Sequence, residues 1–468
     1  RCQPCLAPRH QQAIPMQQSN KQHSYQFRSY RWLPALVATT MLTTLVHSPY
    51  LHAEESPAWK QIALTDNTVL SFDGSLRERY EWSDQRDLAA HGGGRDSTFM
   101  QRFLLGSKLD YGRYLSTYVQ LGSSIATPRD QGRKPTDDDH AYVGQGYIDL
   151  KLPIDAGLGT LRVGRQEIPL GSLHLMGTRD GANVRRSFDA VRASWATPKN
   201  RVDAFIGHPV NIKKGSFDDN TDNSQKIWGL YATTPVAPLA SSIDLYTFGF
   251  ESNDSTYTQG SGSERRYTVG SRIFGSSAGF DWDNEAAYQF GEFSPNGASR
   301  TIRAWSASVH AGYTASTWIW RPRFGGKMGI ASGDKNPHDG ELNTFNAMYP
   351  KLPYLTENGL VAPANLIDIH PSVTLTPTDT LSIDLSWDAM WRQQKQDGFY
   401  LSPMKPIKNS IQGSRFIGNQ YQISTQWTPE KWLQFKFAYA YFDVGHSLEK
   451  HANLKDMNFI MTSATLSF

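Results

Sequence analysis

The stretch Leu381-Ser-Ile-Asp-Leu-Ser-Trp-Asp388 decides the fold class. Its apolar members Leu381, Ile383, Leu385 and Trp387 alternate with Ser382, Asp384, Ser386 and Asp388, and a period of two marks a strand with two unlike faces. On a helix the same residues would be spread around the whole cylinder. Leu433 to Tyr441 repeats the pattern, with Leu433, Phe435, Phe437, Tyr439 and Tyr441 on one face and Gln434, Lys436, Ala438 and Ala440 on the other.

Working outward, about 18 such segments can be marked, near 69–82, 100–109, 114–122, 142–152, 160–167, 188–197, 201–208, 226–233, 242–251, 267–275, 280–292, 300–312, 317–330, 366–376, 381–390, 416–428, 433–442 and 457–468. Many have the length of roughly 9–11 residues that crosses a bilayer at a tilt. Long linkers at 83–99, 123–141, 168–187, 209–225, 252–266, 331–365, 391–415 and 443–456 alternate with short turns such as 110–113, 198–200, 276–279, 377–380 and 429–432. The longish turn 234–241 and the short linker 293–299 are exceptions. Barrels with long external loops and short periplasmic turns alternate in this way. An even strand count then puts both chain ends on the short-turn side, and linker 168–187 outside or folded into the lumen.

Composition agrees. A chain of 468 residues could form two domains, but closed barrels run long as single units. The 13 Trp, 21 Tyr and 22 Phe beside a mean hydropathy of −0.51 suit an apolar exterior around a wet lumen better than a soluble core. A basic region (Lys21, Arg28, Arg31), an apolar run from Leu33 to Val46 and the ending Leu51-His52-Ala53 read as an export leader over 1–53, which leaves 54–468 as one barrel domain. Removing the leader takes away Cys2 and Cys5, so disulfides, thiol metal ligands and lipidated cysteine are not expected. The leader carries five of the 47 basic residues and none of the 44 acids, leaving 42 against 44, or −2; the formal charge of +3 and pI of 8.6 therefore give no indication of nucleic acid. After Ala53 no apolar run approaches the roughly 18 residues of a membrane helix. The last segment, Met457 to Phe468, ends on an aromatic and is similar to the signal by which the barrel assembly machinery takes up bacterial outer-membrane barrels. The expected fold is all-β: a transmembrane antiparallel β-barrel of about 18 strands, embedded in outer-membrane lipid.

If apolar positions face lipid, the intervening ones face the lumen. This places Asp73, Arg77, Arg79 and Glu81 inside, with Arg102, Lys108, Arg162, Arg192, Arg272, Arg321, Arg323 and Lys436; Arg303 falls in an ambiguous pattern. Arginine grips carboxylates with two bonds at a time and keeps its charge at any accessible pH. A row of such groups in a pore favours anions, so charge reversal at Arg192 or Arg321 is expected to weaken anion selectivity. The plainer reading pairs these arginines with Asp73, Glu81, Asp203, Asp244, Asp384 and Asp388 as struts, and both readings stay open for each residue.

The densest basic run lies between two such segments, GRQEIPLGSLHLMGTRDGANVRRSFDAVR from Gly164 to Arg192, with Arg165, Arg179, Arg185, Arg186 and Arg192. Alone it suggests phosphate or nucleic-acid binding; between strands it reads as a strand end, a loop and the next strand's start. GRQE-x-x-x-G at 164–171, followed by Asn183-Val-Arg-Arg-Ser-Phe-Asp-Ala-Val-Arg192, resembles the alginate export family of bacterial outer-membrane proteins, as do Arg77-Glu-Arg79-Tyr and the terminal strand. The resemblance implies an 18-strand monomeric barrel whose basic lumen conducts an anionic uronate polysaccharide, or small organic anions in relatives without the biosynthetic context. It further implies that Arg165, Arg186 and Arg192 join the lumen arginines in an electropositive conduit, with Asp189 as a fixed counter-charge. No cofactor, metal site or nucleic-acid partner is assigned.

Three features admit a second meaning. Loop 331–365 is either a plug over the pore or a solvated external loop. The acidic run Thr136-Asp-Asp-Asp-His140 could hold a divalent cation, although a solvated loop is the commoner meaning. Ser187, His174 and Asp189 are near in sequence, as a nucleophile, base and orienting group would be, but no recognised motif surrounds them.

Overall fold

A computed structural model of the chain describes residues 60–468 apart from 91 and 238–239; the leader expected over 1–53 lies outside the described residues. Eighteen long strands form the barrel. They are β1 (Thr68–Ser83), β2 (Asp96–Tyr111), β3 (Leu115–Ala126), β4 (Asp139–Ile154), β5 (Gly157–Gln166), β6 (Phe188–Ala196), β7 (Arg201–Asn211), β8 (Gln225–Val236) and β9 (Ser241–Tyr257). The second half adds β10 (Gly260–Ser277), β11 (Phe280–Pro295), β12 (Arg300–Thr314), β13 (Arg323–Ala331), β14 (Leu366–Thr378), β15 (Leu381–Arg392), β16 (Phe416–Glu430), β17 (Leu433–Val444) and β18 (Met457–Ser467). Each pairs antiparallel with its neighbours, and β1 pairs with β18 from Ser75↔Ser467 to Ser83↔Phe459. The sheet is therefore closed. Closure matters in lipid, because an open edge would leave backbone donors and acceptors with neither water nor a partner.

The two-residue period does what it predicts at the opening stretch. On β15, Leu385 and Trp387 are exposed on the outer face while Asp388 is fully buried on the inner one. On β17, Phe437 and Tyr439 point out and Ala438 and Ala440 point in. An apolar belt including Val119, Ile148, Leu150, Val163, Val191 and Leu230 surrounds the barrel. Such a surface is stable only against acyl chains.

Long and short connections alternate, with two corrections. Expected linker 252–266 is a two-residue turn, since β9 runs to Tyr257 and β10 starts at Gly260. Its polar residues continue the ladder beyond the apolar belt, where hydropathy cannot tell strand from loop. Expected strand 317–330 begins only at Arg323. Its apolar start, Trp318-Ile319-Trp320, belongs to turn 315–322, where Trp318 receives the Arg321 backbone N–H at 3.0 Å and Trp320 that of Thr376 at 2.7 Å. Arg303 is settled as outward-facing, near the long-loop end, with Glu341 at 3.1 Å.

Two long loops, 167–187 and 332–365, fold inward. Ile168, Leu170, Leu175 and Met176 from the first, and Leu342, Phe345, Ala347 and Tyr349 from the second, join a buried cluster with Phe188, Phe205, Ile227, Tyr231, Tyr246, Phe248 and Phe250 on the inner wall of β6–β9. Polar-in alternation fails there: Phe205, Tyr246 and Phe248 face packed loops instead of water. A second cluster seats Leu360 and Val361 with Phe399, Leu401 and Ile407 against the inner face of β15–β18.

Candidate pore constriction

The inner wall of β1–β6 is made of arginines and acids in register. Arg77 and Arg102 sit directly opposite each other on β1 and β2, a like-charge pair that would repel if left alone. Loop 167–187 resolves the repulsion. Arg77 donates to the Asp180 and Ala182 carbonyls at 2.7 and 2.8 Å, and Arg102 reaches the Asp180 carboxylate at 2.8 Å. Arg79 pairs with Glu81 on its own strand at 2.6 Å.

Next along the wall, Arg162 and Arg192 are opposite each other on β5 and β6. Arg162 takes Asp149 in a two-bond fork at 2.7 and 2.8 Å and lies over the Tyr147 ring at 3.6 Å. Arg192 reaches Asp203 at 2.8 Å. One level above, Arg165 forks onto Asp189 at 2.8 and 3.1 Å, while Thr221 donates to the same carboxylate at 2.7 Å. This pair is a correction, because Asp189 lies between inward-facing Phe188 and Ala190 and shares the outward side of Val191. Both residues therefore sit on the outer face at the long-loop end and not in the lumen. The GRQE and FDAVR motifs thus meet as paired strands, Arg165 opposite Asp189. Toward the short-turn end, Arg272 bridges Asp283 and Asp244 at 2.6 and 2.9 Å, and Arg323 holds Asp281 at 2.8 Å.

Most of the expected lumen arginines are therefore struts with their own acids. Arg321 is a correction of another kind. It lies in turn 315–322, and its exposed guanidinium meets Asp379 of the neighbouring turn at 2.7 Å. The period-two count ran through Trp318 and Trp320 and carried Arg321 into a strand that starts two residues later. Asp73 and Asp384, expected as strut acids, instead accept the Tyr118 and Thr374 hydroxyls.

Cations without an acid partner gather where the two inward loops meet. Their backbones join through Gly177 to Tyr349 at 2.7 Å, Tyr349 to Leu175 at 3.1 Å, Lys351 to Leu173 at 2.8 Å and Gly181 to Leu352 at 2.8 Å, each N–H donating to a carbonyl. The approach needs glycine: a Cβ on Gly177 would sit 2.7 Å from the Lys351 nitrogen, and one on Gly181 2.5 Å from the Leu352 oxygen. Tyr349 wedges between Phe188 and Phe250, 5.1 and 5.8 Å from their ring centres, and its hydroxyl donates to Gln225 at 2.8 Å.

Beside this junction Arg186 donates only to the Gly177 and Pro350 carbonyls, at 3.3 and 3.2 Å, and lies over Tyr349. Half-buried Arg179 has a backbone φ of +56° and makes no side-chain hydrogen bond or ion pair. That φ costs a non-glycine residue about 1 kcal/mol. Withdrawal from water pulls Arg179 down to about 10 and, with Arg179 nearby, pulls Arg186 to about 9. Both values leave the groups charged at neutral pH. Lys351 is lowered as well, by burial and then by the neighbouring charge of Lys327. Arg185, by contrast, pairs with Glu167 at 2.8 Å.

The sequence pattern places Arg186 in the conduit and gives no role to Arg179, Lys327 or Lys351. Lys327 was within reach, since Phe324 and Met328 on the outer face of β13 put it inside. Lys351 gave no local signal, because its position depends on pairing between residues more than 150 apart in sequence. The Ser187, His174 and Asp189 grouping comes apart. Ser187 donates to the Gly144 carbonyl at 2.6 Å, His174 meets Glu285 at 2.8 Å, and Asp189 is held by Arg165.

Comparison with known proteins agrees with this architecture. The family model described as alginate export matches residues 68–461. No curated protein sequence matches the chain. Among solved structures, OccK8 (OprE) of Pseudomonas aeruginosa superposes with a TM-score of 0.55 at 13% identity, covering 85% of this chain and 98% of that one. OccAB2 of Acinetobacter baumannii gives 0.57 at 10% identity over 85% and 98%, and a BenF-like porin from Pseudomonas fluorescens Pf-5 gives 0.54 at 11% identity over 85% and 99%. The structural likeness establishes the fold, and the family match runs from the first barrel strand into the last: the chain belongs to the alginate export family and is a bacterial outer-membrane β-barrel channel.

Proposed function

We propose that this channel passes anions, that its selectivity is set where loop 167–187 meets loop 332–365, and that its cargo is an alginate-like uronate polysaccharide. The observation that carries the reading is the contrast in partners. The wall arginines Arg79, Arg162, Arg192, Arg272 and Arg323 have acids at hydrogen-bond distance, whereas among the described residues Arg179, Arg186, Lys327 and Lys351 have none. A paired arginine presents little net charge to a solute. An unpaired one in a partly dehydrated constriction attracts carboxylates and can exchange them, because no single site holds the anion with a full set of bonds.

A second reading, passage of small organic anions, draws on the packing of both loops inside the lumen, which suits a small solute as well as a thin polymer. In either case Arg77 and Arg102 serve by holding loop 167–187 in place, while Asp189, forked by Arg165 and bonded by Thr221 on the outer face, ties the strand ends to loop 212–224 and faces no solute. We take the barrel to be non-catalytic, to act as a monomer and to be inserted through its terminal strand by the barrel assembly machinery.

Reversal potentials of the purified barrel in planar bilayers test the anion preference, and cation preference in the unmodified protein would reject it. Liposome swelling separates the cargoes. Uronate oligomers entering faster than neutral oligosaccharides of equal length support the polymer, while entry of monomeric acids alone supports the second reading.

A further inference from the structure

We propose that Asp139, Asp218 and Asp219 bind one hard divalent cation, calcium by its fit, which ties the start of β4 to external loop 212–224. The three acids of the run 137–139 have different fates. Asp137 is taken by Arg129 at 2.9 Å. Asp138 accepts the Ala126 N–H at 2.6 Å and pairs with Arg133 at 3.0 Å. Asp139 is 0% exposed, and neither of its carboxylate oxygens receives a hydrogen bond. A fully buried carboxylate without a donor is costly; the nearby cation, Arg133, is engaged by Asp138 at 3.0 Å, so the group calls for a further positive partner.

Asp218 and Asp219 face it, with one oxygen from each of the three carboxylates lying within 4.8 Å of the others. Two oxygens on one calcium, each about 2.4 Å away, can stand at most about 4.8 Å apart. The loop acids are oriented by backbone: Gly215 donates to one Asp218 oxygen at 3.2 Å and Lys213 to one Asp219 oxygen at 2.7 Å, leaving the second oxygen of each free. Neighbouring Lys213 and Lys214 are exposed to solvent. The loop is already docked at this point, since His140 donates to the Lys214 and Gly215 carbonyls and Phe217 to that of Ala141. An all-oxygen set of three carboxylates excludes the soft, sulfur-seeking metals, and supplying three protein carboxylates to one ion suits calcium, which takes about six to eight oxygens in a flexible shell, better than magnesium, which keeps several waters and is held by about one or two carboxylates. The bound ion would leave the wall charges untouched and fix loop 212–224 against the mouth of the barrel, next to Thr221, which bonds Asp189.

The test uses the full barrel in detergent micelles after chelator treatment, titrated with calcium chloride in a calorimeter. Saturable binding of one ion per chain is expected, in the range of about 10⁻⁴–10⁻³ M typical of extracellular sites or tighter. Asp218→Asn with Asp219→Asn should weaken it at least tenfold, and Asp139→Asn should do the same; heat-modifiable gel mobility verifies that each variant is a folded barrel. Calcium should also slow tryptic cleavage after Lys213 and Lys214 several-fold in the unmodified protein and not in the double variant. No saturable binding to the unmodified barrel, or unchanged binding to the folded double variant, overturns the proposal.

Discussion

The inner walls of β1–β6 and β6–β9 enclose the same lumen and are built in opposite ways. The first is a lattice of arginine and carboxylate, in which Arg79, Arg162 and Arg192 hold acids of their own or a neighbouring strand and Arg77 and Arg102 hold loop 167–187. The second is aromatic, and Phe205, Tyr231, Tyr246, Phe248 and Phe250 gain nothing from water. Loop 167–187 spans the two, with Leu175 and Met176 in the aromatic cluster and the Asp180 and Ala182 carbonyls on Arg77 and Arg102. An apolar inner wall in a water-filled pore would be unstable. Here it positions the loops, and their placement leaves Arg179, Arg186 and Lys351 as cations without acids.

The largest effect should come from removing the aromatic anchor. Truncating a buried aromatic costs about 3–5 kcal/mol, so Phe345→Ala with Tyr349→Ala should release loop 332–365 from its wall. Single-channel conductance should rise several-fold while the barrel itself persists. If conductance and thermal unfolding both stay unchanged, the aromatic wall does not hold the loop.

The charged anchor should be weaker. Arg77→Ala with Arg102→Ala removes the hydrogen bonds to Asp180 and Ala182, and a smaller rise in conductance than the first variant's is expected. Acid titration probes the same contact. Withdrawal from water works to raise the Asp180 carboxyl, but Arg102, Arg185 and Arg77 outweigh it and hold the group at about 2. A depressed acid contributes its stabilisation above its unfolded value of about 4 and loses it as pH falls through the folded value. Conductance should therefore be flat above pH about 4 and change between pH about 4 and 2, with Asp180→Asn abolishing the change. A transition nearer neutrality would assign the anchor elsewhere.

Loop-borne cations should control selectivity more than conductance. Arg179→Gln with Arg186→Gln should shift the reversal potential toward zero, and the unmodified barrel should keep its anion preference up to pH 8, below the values of about 10 and 9 for these groups. Anion preference intact in the double variant would return the selectivity to the paired wall.

The barrel was legible because lipid imposes period two on one face, and Leu385, Trp387, Phe437 and Tyr439 carry that signal without help from distant residues. The wall struts were half legible. Alternation put Arg192 and Asp203 inside, but only register across β6 and β7 makes them partners. What escaped was everything that depends on the inward loops. Tyr349 and Lys351 acquire their roles from a backbone pairing with residues 173–181, which no local pattern encodes, and Phe248 on β9 looks like a violation of alternation until those loops cover it.

The smallest effect should fall on Arg321, and it separates position from charge. Sequence alternation put it with Arg192 in the lumen, so reversal of either should have weakened selectivity alike. Arg192 is buried with Asp203, which also receives Arg201; Arg192→Glu would set a third charge of the wrong sign into that cluster, and breaking a buried pair costs about 3–5 kcal/mol. Arg321 shares an exposed turn with Asp379, where an ion pair is worth about 0–1 kcal/mol. Arg321→Glu should leave reversal potential, conductance and melting temperature within error, whereas Arg192→Glu should lower the melting temperature and disturb the β5–β7 wall. A shift in reversal potential with Arg321→Glu comparable to that of the Arg179 and Arg186 double variant would mean that charge at the periplasmic rim, and not at the loop junction, selects the ion.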